Sequence, residues 1–173
     1  MKVTLFTAMS LNGIIARKNG DEDFLSNDNW NSFSDLVNSF QNFIVGRKTF
    51  EAVKNWNEGY DFDDFKAAKK IVVSGDHNYK LDGGYFLALN PKKALEILKG
   101  KGFNRVLIAG GSGLNSSFAK ANLIDEVILN VESVIIGEGI PLFLSNDFEL
   151  NLKLVDVKKI SNSIVQLHYK VTK

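Results

Sequence analysis

The sequence predicts an α/β fold with a mixed, mostly parallel sheet that ends in an antiparallel hairpin. Three observations carry that expectation. Short continuous apolar runs alternate with helix-period segments through most of the chain, as strands buried on both faces do when helices cross over between them. Two of these runs, Phe43-Ile44-Val45 and Val106-Leu107-Ile108-Ala109, stop at glycine just before a helical segment. Near the carboxyl end the pattern changes to apolar and polar residues in turn, the period of a strand with one wet face.

The elements follow in order. Val3 to Met9 is a strand leading into a turn at Asn12-Gly13. Trp30, Phe33, Val37 and Phe40 lie three or four apart and share one helical face. Phe43 to Val45 is the second strand, Thr49 to Val53 a short helix, and Asn55 to Asp64 a polar, turn-rich stretch. Ile71 to Val73 and Tyr85 to Leu89 are the third and fourth strands. Asn90-Pro91 starts a helix, with asparagine as cap and proline in the first turn, and Ala94, Leu95 and Leu98 form its buried face. Gly100 and Gly102 end it. Val106 to Ala109 is the fifth strand, a helix with Leu114, Phe118 and Ala121 follows, and Val127 to Val131 is the sixth. Leu152 to Val157 and Val165 to Val171 pair through Ser161-Asn162, with Gln166, His168 and Lys170 pointing outward.

Composition excludes several chemistries. With 173 residues and 45% hydrophobic content, one domain spanning 1–173 can hide a sizeable core. No cysteine is present, which removes disulfides, cysteine metal sites and thiol nucleophiles. His77 and His168 are the only histidines, too few for an all-protein transition-metal site, and both are expected on the surface. A net charge of +1 does not suit general nucleic-acid binding. No apolar run reaches the ~20 residues of a membrane helix, and the amino terminus lacks a cleavage signal, so the protein is expected in the cytoplasm.

Two strand-to-helix junctions suit phosphate. Gly110-Gly111-Ser112-Gly113 joins a buried strand to a helix, where bare backbone amides and a helix amino end attract anions. The dinucleotide fingerprint G-x-G-x-x-G is not met, since Ser116 takes the third glycine position. Gly46-Arg47-Lys48-Thr49 places two cations and a hydroxyl at another helix start, which suits the phosphomonoester that distinguishes NADPH from NADH. Ser74-Gly75 ends a third strand. In a parallel sheet all three lie at the carboxyl edge, where ligands bind.

The succession Ser10-Leu11-Asn12-Gly13-Ile14-Ile15-Ala16, Gly46-Arg47-Lys48-Thr49-Phe50-Glu51, Val72-Val73-Ser74, Ile108-Ala109-Gly110-Gly111, Asp125-Glu126-Val127 and Ile136-Gly137-Glu138-Gly139-Ile140-Pro141-Leu142-Phe143 resembles the dihydrofolate reductase superfamily. The branch it resembles most is the carboxyl-terminal reductase domain of the riboflavin-biosynthesis deaminase-reductase. The resemblance implies a three-layer dihydrofolate reductase-like fold, NADPH as hydride donor and a homodimer. It implies that Gly46, Arg47, Lys48 and Thr49, with Ser74, hold the 2′-phosphate side of the cofactor. Gly110, Gly111, Ser112, Gly113 and Leu114 would cradle pyrophosphate and ribose, with a cis Gly-Gly bond. Ala8 and the loop from Asn12 to Ala16 would border the nicotinamide.

The chain also departs from its relatives. Where dihydrofolate reductases carry an acid on the first helix, a gapless count back from Gly46 gives Trp30, with Asp28 nearby as either the acid or a helix cap. Asn130 falls where that family has a threonine near the pterin. Asn12 and Ile14 stand where riboflavin reductases usually have Asp and Lys, and Glu51-Ala52-Val53 lacks their Asp-x-Pro. Glu138 is a second candidate acid. The expected function is hydride transfer from NADPH to a small heterocyclic or ribosyl substrate, with a phosphoribosylamino-uracil leading and dihydrofolate second. A module that binds NADPH without turnover is the alternative. The expected proton donors are water, Asp28 and Glu138.

Overall fold

The computed structural model describes residues 1–56 and 59–173. Asn57 and Glu58, within the stretch expected to be turn-rich, lie outside the described residues. The strands are β1 (Lys2–Ser10), β2 (Ile14–Ala16), β3 (Asn42–Gly46), β4 (Lys69–Val73), β5 (Tyr85–Ala88), β6 (Arg105–Ile108), β7 (Glu126–Glu132), β8 (Ile140–Pro141), β9 (Asn151–Lys159) and β10 (Ile164–Thr172). The helices are α1 (Asn27–Phe40), α2 (Arg47–Lys54), α3 (Pro91–Gly100) and α4 (Ser112–Lys120), with a single 3-10 turn at Phe62–Asp64.

Eight strands form one sheet in the order β5-β4-β3-β6-β1-β7-β10-β9. The pairs from β5 through to β7 are all parallel. Strand β10 runs antiparallel to both β7 and β9, which is the mixed sheet expected from the change of period.

The sheet is buried on both faces because alternate residues of each inner strand feed opposite cores. Leu5, Ile44, Ile71, Val106 and Ile108 enter one core, where Ala94 and Leu98 of α3 and Leu114 and Phe118 of α4 meet them. Phe6, Phe43, Val45, Val72 and Leu107 enter the other, with Phe33 and Val37 of α1 and Phe50 and Val53 of α2. This gives three layers. The amino end of α3 forms as the sequence predicts: Asn90 Oδ1 accepts from Lys93 N at 3.0 Å, with Pro91 in the first turn.

The connection pattern positions the site. Strand β6 lies between β3 and β1, and β3 is followed by α2 on one face while β6 is followed by α4 on the other. The chain therefore leaves two neighbouring strands in opposite directions, which opens a crevice at their carboxyl ends.

Three features differ from the sequence reading. A small ribbon of β2 and β8 pairs Ile14 with Pro141 and Ala16 with Ile140, too short to show a period. The amino end of α1 is preceded by Ser26 rather than capped by Asp28. In the final hairpin, Gln166 Nε2 donates to Asn130 Oδ1 at 2.9 Å, and His168 Nε2 lies 3.4 Å from Glu126. The face read as wet is thus partly covered. The apolar side chains of β9 are the exposed ones: Leu154 is 52% and Val157 52% accessible.

The ribbon depends on Gly139. A Cβ there would stand 2.4 Å from Ile14 Cγ2 and 2.5 Å from the Ala16 carbonyl oxygen, whereas one at Gly137 would meet nothing within 4 Å. Gly139→Ala is expected to destabilise the fold by ~1–3 kcal/mol through overpacking, and Gly137→Ala to stay within ~0.5 kcal/mol. Denaturant unfolding of the two variants checks this contrast.

Candidate active site

The crevice contains two joined cavities. The larger, about 990 Å³, is lined by Gly46, Arg47, Lys48 and Thr49 from the start of α2, by Ser74, and by Gly111, Ser112, Gly113 and Leu114 from the start of α4. The second, about 660 Å³, is lined by Phe6, Thr7 and Ala8 of β1, Asn29, Trp30 and Phe33 of α1, Trp56, Tyr60, Phe62 and Gly110 among others. Ile15, Glu22, Thr49 and Gly111 line both. They mark the joint.

The larger cavity is built for an anion. Glycine precedes both α2 and α4, so neither helix has a side-chain cap, and the first backbone N–H groups of a helix have no partner within it. Both amino ends meet the same cavity, where their partial positive charges add. Gly46 N donates to the Gly110 carbonyl at 2.8 Å and fixes the two turns against each other. Ser112 Oγ is buried without a hydrogen-bond partner. A Cβ on Gly111 would sit 2.5 Å from Thr49 Oγ1, so only glycine allows this approach. Gly110–Gly111 is a cis peptide. Arg47 is half-exposed, 3.6 Å from Glu51, with its guanidinium over the Tyr79 ring.

The smaller cavity is aromatic. Trp30 lies with its ring centroid 5.2 Å from Tyr60, 5.5 Å from Phe33 and 6.5 Å from Trp56, spacings at which rings pack edge to face or offset. Such walls fit a flat ligand.

The site sits in a chain whose relatives are identifiable. Residues 1–166 match the model of the RibD C-terminal domain. The chain belongs to that family. It is 33% identical over 171 residues to the uncharacterized protein YwjB of Bacillus subtilis, covering 97% of each chain. A putative riboflavin biosynthesis protein from Shewanella sp. PV-4 has the same fold, with TM-score 0.81, 24% identity and full coverage of both chains. So does a dihydrofolate reductase from Enterococcus faecalis complexed with NADP(H), with TM-score 0.70, 15% identity and coverage of 99% and 97%.

Within this RibD C-terminal domain, the residues expected to hold cofactor come together: Gly46 to Thr49, Ser74 and Gly111 to Leu114 line the larger cavity, and Gly110 lines the smaller. Ala8 and Trp30 face the aromatic cavity. The other expected positions lie elsewhere. Asp28 lines neither cavity, and its backbone carbonyl accepts from Ser32 Oγ at 2.9 Å. Glu138 is exposed and paired with Lys18. Asn12 ties two loops, donating from Nδ2 to the Ile136 carbonyl at 2.8 Å and accepting at Oδ1 from Ile136 N at 3.1 Å. Asn130 is fully buried behind α1, where its Nδ2 donates to Asn29 Oδ1 at 3.0 Å.

Asn29, between the two positions considered on α1, lines the cavity beside Trp30. Its Nδ2 donates to the buried Glu132 Oε1 at 2.7 Å. The carboxyl group at the joint is Glu22, which the sequence reading missed because it lies among Asp21 and Asp23 in a polar loop that looks solvated. Asp23 pairs with Arg17. Among the described residues Glu22 has no such partner, and burial pushes its carboxyl up from 4.5 to about 7.

That displacement ties stability to pH. The folded protein keeps a proton on Glu22 that the unfolded chain loses near 4.5, so the stabilisation from the neutral carboxyl is full below that value and fades as pH rises to about 7. Glu22→Gln is expected to stabilise the fold by roughly 2–3 kcal/mol at pH 8 and to change little at pH 4. Melting curves at the two pH values check this.

Proposed function

We propose that this protein is an NADPH-dependent reductase that adds hydride to an unsaturated carbon of a small nitrogen heterocycle. The carrying observation is the joint between a cavity made of uncapped helix ends and a cavity made of aromatic rings. NADPH fits the first by its phosphates, and it supplies the hydride when bound. Reduction of a pyrimidine, as in riboflavin biosynthesis, is the leading form of this reading, and dihydrofolate reduction the second.

The chain's own residues then have distinct tasks. Arg47, Lys48, Thr49 and Ser74 receive the 2′-phosphate, with arginine offering a planar fork of donors. Gly111, Ser112, Gly113 and Leu114 surround the pyrophosphate, and the free Ser112 Oγ donates there. Ala8 and Ile15 border the nicotinamide end, and the Trp30 wall excludes water and sets the substrate ring face to face with it. Glu22 supplies the proton that follows hydride, since a carboxyl that titrates near 7 is poised to donate at neutral pH. This supports turnover over a module that only binds cofactor, because a carboxyl stands at the joint after all.

A second copy of the chain is proposed to cover β9. It is the free edge of the sheet, every residue of it is exposed, and Leu152, Leu154 and Val157 share the sheet face of Tyr169 and Val171. Exposed apolar edges invite pairing. Sedimentation of Leu154→Lys is expected to show a monomer where the native chain shows a dimer.

Arg47→Ala is expected to weaken NADPH by ~1.5–3 kcal/mol, the cost of a charge-assisted hydrogen bond, and to leave NADH nearly unchanged. Fluorescence titration with both cofactors reads this, and equal losses would sink the 2′-phosphate role. Glu22→Gln is expected to lower kcat ~10²-fold or more and to remove the limb of the rate profile near pH 7, with the affinity for NADPH kept. An unchanged profile would remove Glu22 from catalysis.

A further inference from the structure

The three arginines of the chain keep different company. Arg17 Nε donates to the Asp23 carboxylate, and Arg105 Nη2 donates to the Ser39 carbonyl. Both have committed their donors to the protein. Arg47 stands on the wall of the larger cavity and is held in another way. Glu51 Oε1, one helical turn on, lies 3.6 Å from Arg47 Nη1, which is beyond hydrogen-bond length and leaves the direction of the guanidinium open. What the guanidinium rests against is the ring of Tyr79, whose centroid is 5.6 Å from Arg47 Cζ. At that range the negative face of an aromatic ring attracts a cation.

Tyr79 lines neither cavity, yet two features fix its place. Its ring packs against the core on the α1 and α2 side of the sheet. Its backbone closes the turn that follows β4: Asp76 N donates to Ser74 Oγ at 3.1 Å, Asn78 N to Asp76 Oδ1 at 2.9 Å and Tyr79 N to the Asp76 carbonyl at 3.3 Å. That winding presents Ser74 and Asp76 to the larger cavity and returns the chain to the first turn of α2. One turn therefore supplies a hydroxyl for the site and a platform for its arginine.

An arginine side chain has much rotational freedom, and a guanidinium that receives a phosphate gives that freedom up. A ring that restricts the guanidinium beforehand lowers this cost and leaves its N–H donors to the ligand. We infer that Tyr79 is a positioning residue for Arg47, holding its guanidinium at the wall of the larger cavity and so setting how strongly the site prefers an adenosine that carries a 2′-phosphate over one that does not. The inference rests on the NADPH reading above. It adds to that reading a residue outside the cavity that makes the arginine effective.

Adenosine 2′,5′-bisphosphate and adenosine 5′-monophosphate differ by that phosphate alone and need no turnover. Each is titrated calorimetrically into the native chain, Tyr79→Leu, Tyr79→Phe, Arg47→Ala and the double variant of Arg47→Ala with Tyr79→Leu. Leucine, or methionine if the leucine variant does not fold, keeps apolar bulk against the core and removes the ring face; phenylalanine keeps the face and removes the hydroxyl. The native chain is expected to prefer the bisphosphate. Tyr79→Leu is expected to cut that preference at least ~5-fold with the monophosphate affinity kept, and Tyr79→Phe to hold it within ~2-fold. In the Arg47→Ala background, Tyr79→Leu is expected to change the preference by less than ~2-fold, because the two side chains act as one unit. An unchanged preference in Tyr79→Leu, an equal loss for both ligands, a loss in Tyr79→Phe as large as in Tyr79→Leu, or a loss that persists without Arg47 each overturns the inference. A native chain without the preference, or a preference that Arg47→Ala leaves intact, strikes the NADPH reading instead, so the two failures are distinguishable.

Discussion

The hydrogen bond from Gly46 N to the Gly110 carbonyl, 2.8 Å long, is the contact on which the site depends. It joins the carboxyl ends of β3 and β6, the two neighbouring strands whose following helices leave toward opposite faces. Because both helices begin directly at that junction without side-chain caps, their amino ends are held side by side with their N–H groups unspent. A single uncapped helix end attracts an anion weakly; two facing one cavity, with Arg47 and Lys48 on the same turn, suit a phosphate. Gly111 serves close approach, as the 2.5 Å between Thr49 Oγ1 and a Cβ there indicates, whereas Gly110 supplies a φ of +86°.

Around this junction lies scaffold that looks like chemistry when read one residue at a time. Asn12 bridges to Ile136, and Gly139 lets the ribbon close against Ile14 and Ala16. Asn115 Nδ2 and Ser116 Oγ of α4 bond the Leu142 carbonyl and Leu144 N at 3.0 and 2.8 Å. The segment from Ile136 to Leu144 therefore works as a strap between the loop after β1 and α4. Asn130, Asn29, Glu132 and Gln166 form a buried polar chain under the amino end of α1. Buried amides and carboxylates of this kind are held only when their partners are complete, which gives these residues a structural reason to be polar.

The division of charge between the cavities is the main electrostatic fact. Lys18, Arg47, Lys48 and the starts of α2 and α4 line one side of the Gly110–Gly111 turn together with Asp76, the aromatic rings with Asp21 and Asp23 line the other, and Glu22 stands on both. That division suits a ligand that is anionic at one end and flat at the other. The same division leaves Glu22 desolvated at the joint, where its proton is retained to about pH 7.

The sequence by itself determined the strands of the main sheet, the helices, the change to an antiparallel ending and the two glycine-led strand-to-helix junctions, because each rests on local signals: apolar period, helix starts, and glycine with basic residues at a strand end. Gly46 to Thr49 and Gly110 to Leu114 were legible for that reason. Which carboxyl groups line the cavities was decided by tertiary structure alone. Asp28, Asn29 and Trp30 differ only in helical phase, and a count along the chain does not resolve a turn of a helix. Glu22 was hidden between Asp21 and Asp23, which stay exposed, and its own burial arises only from tertiary packing, and the exposed apolar face of β9 emerged only when the sheet order left that strand at the edge.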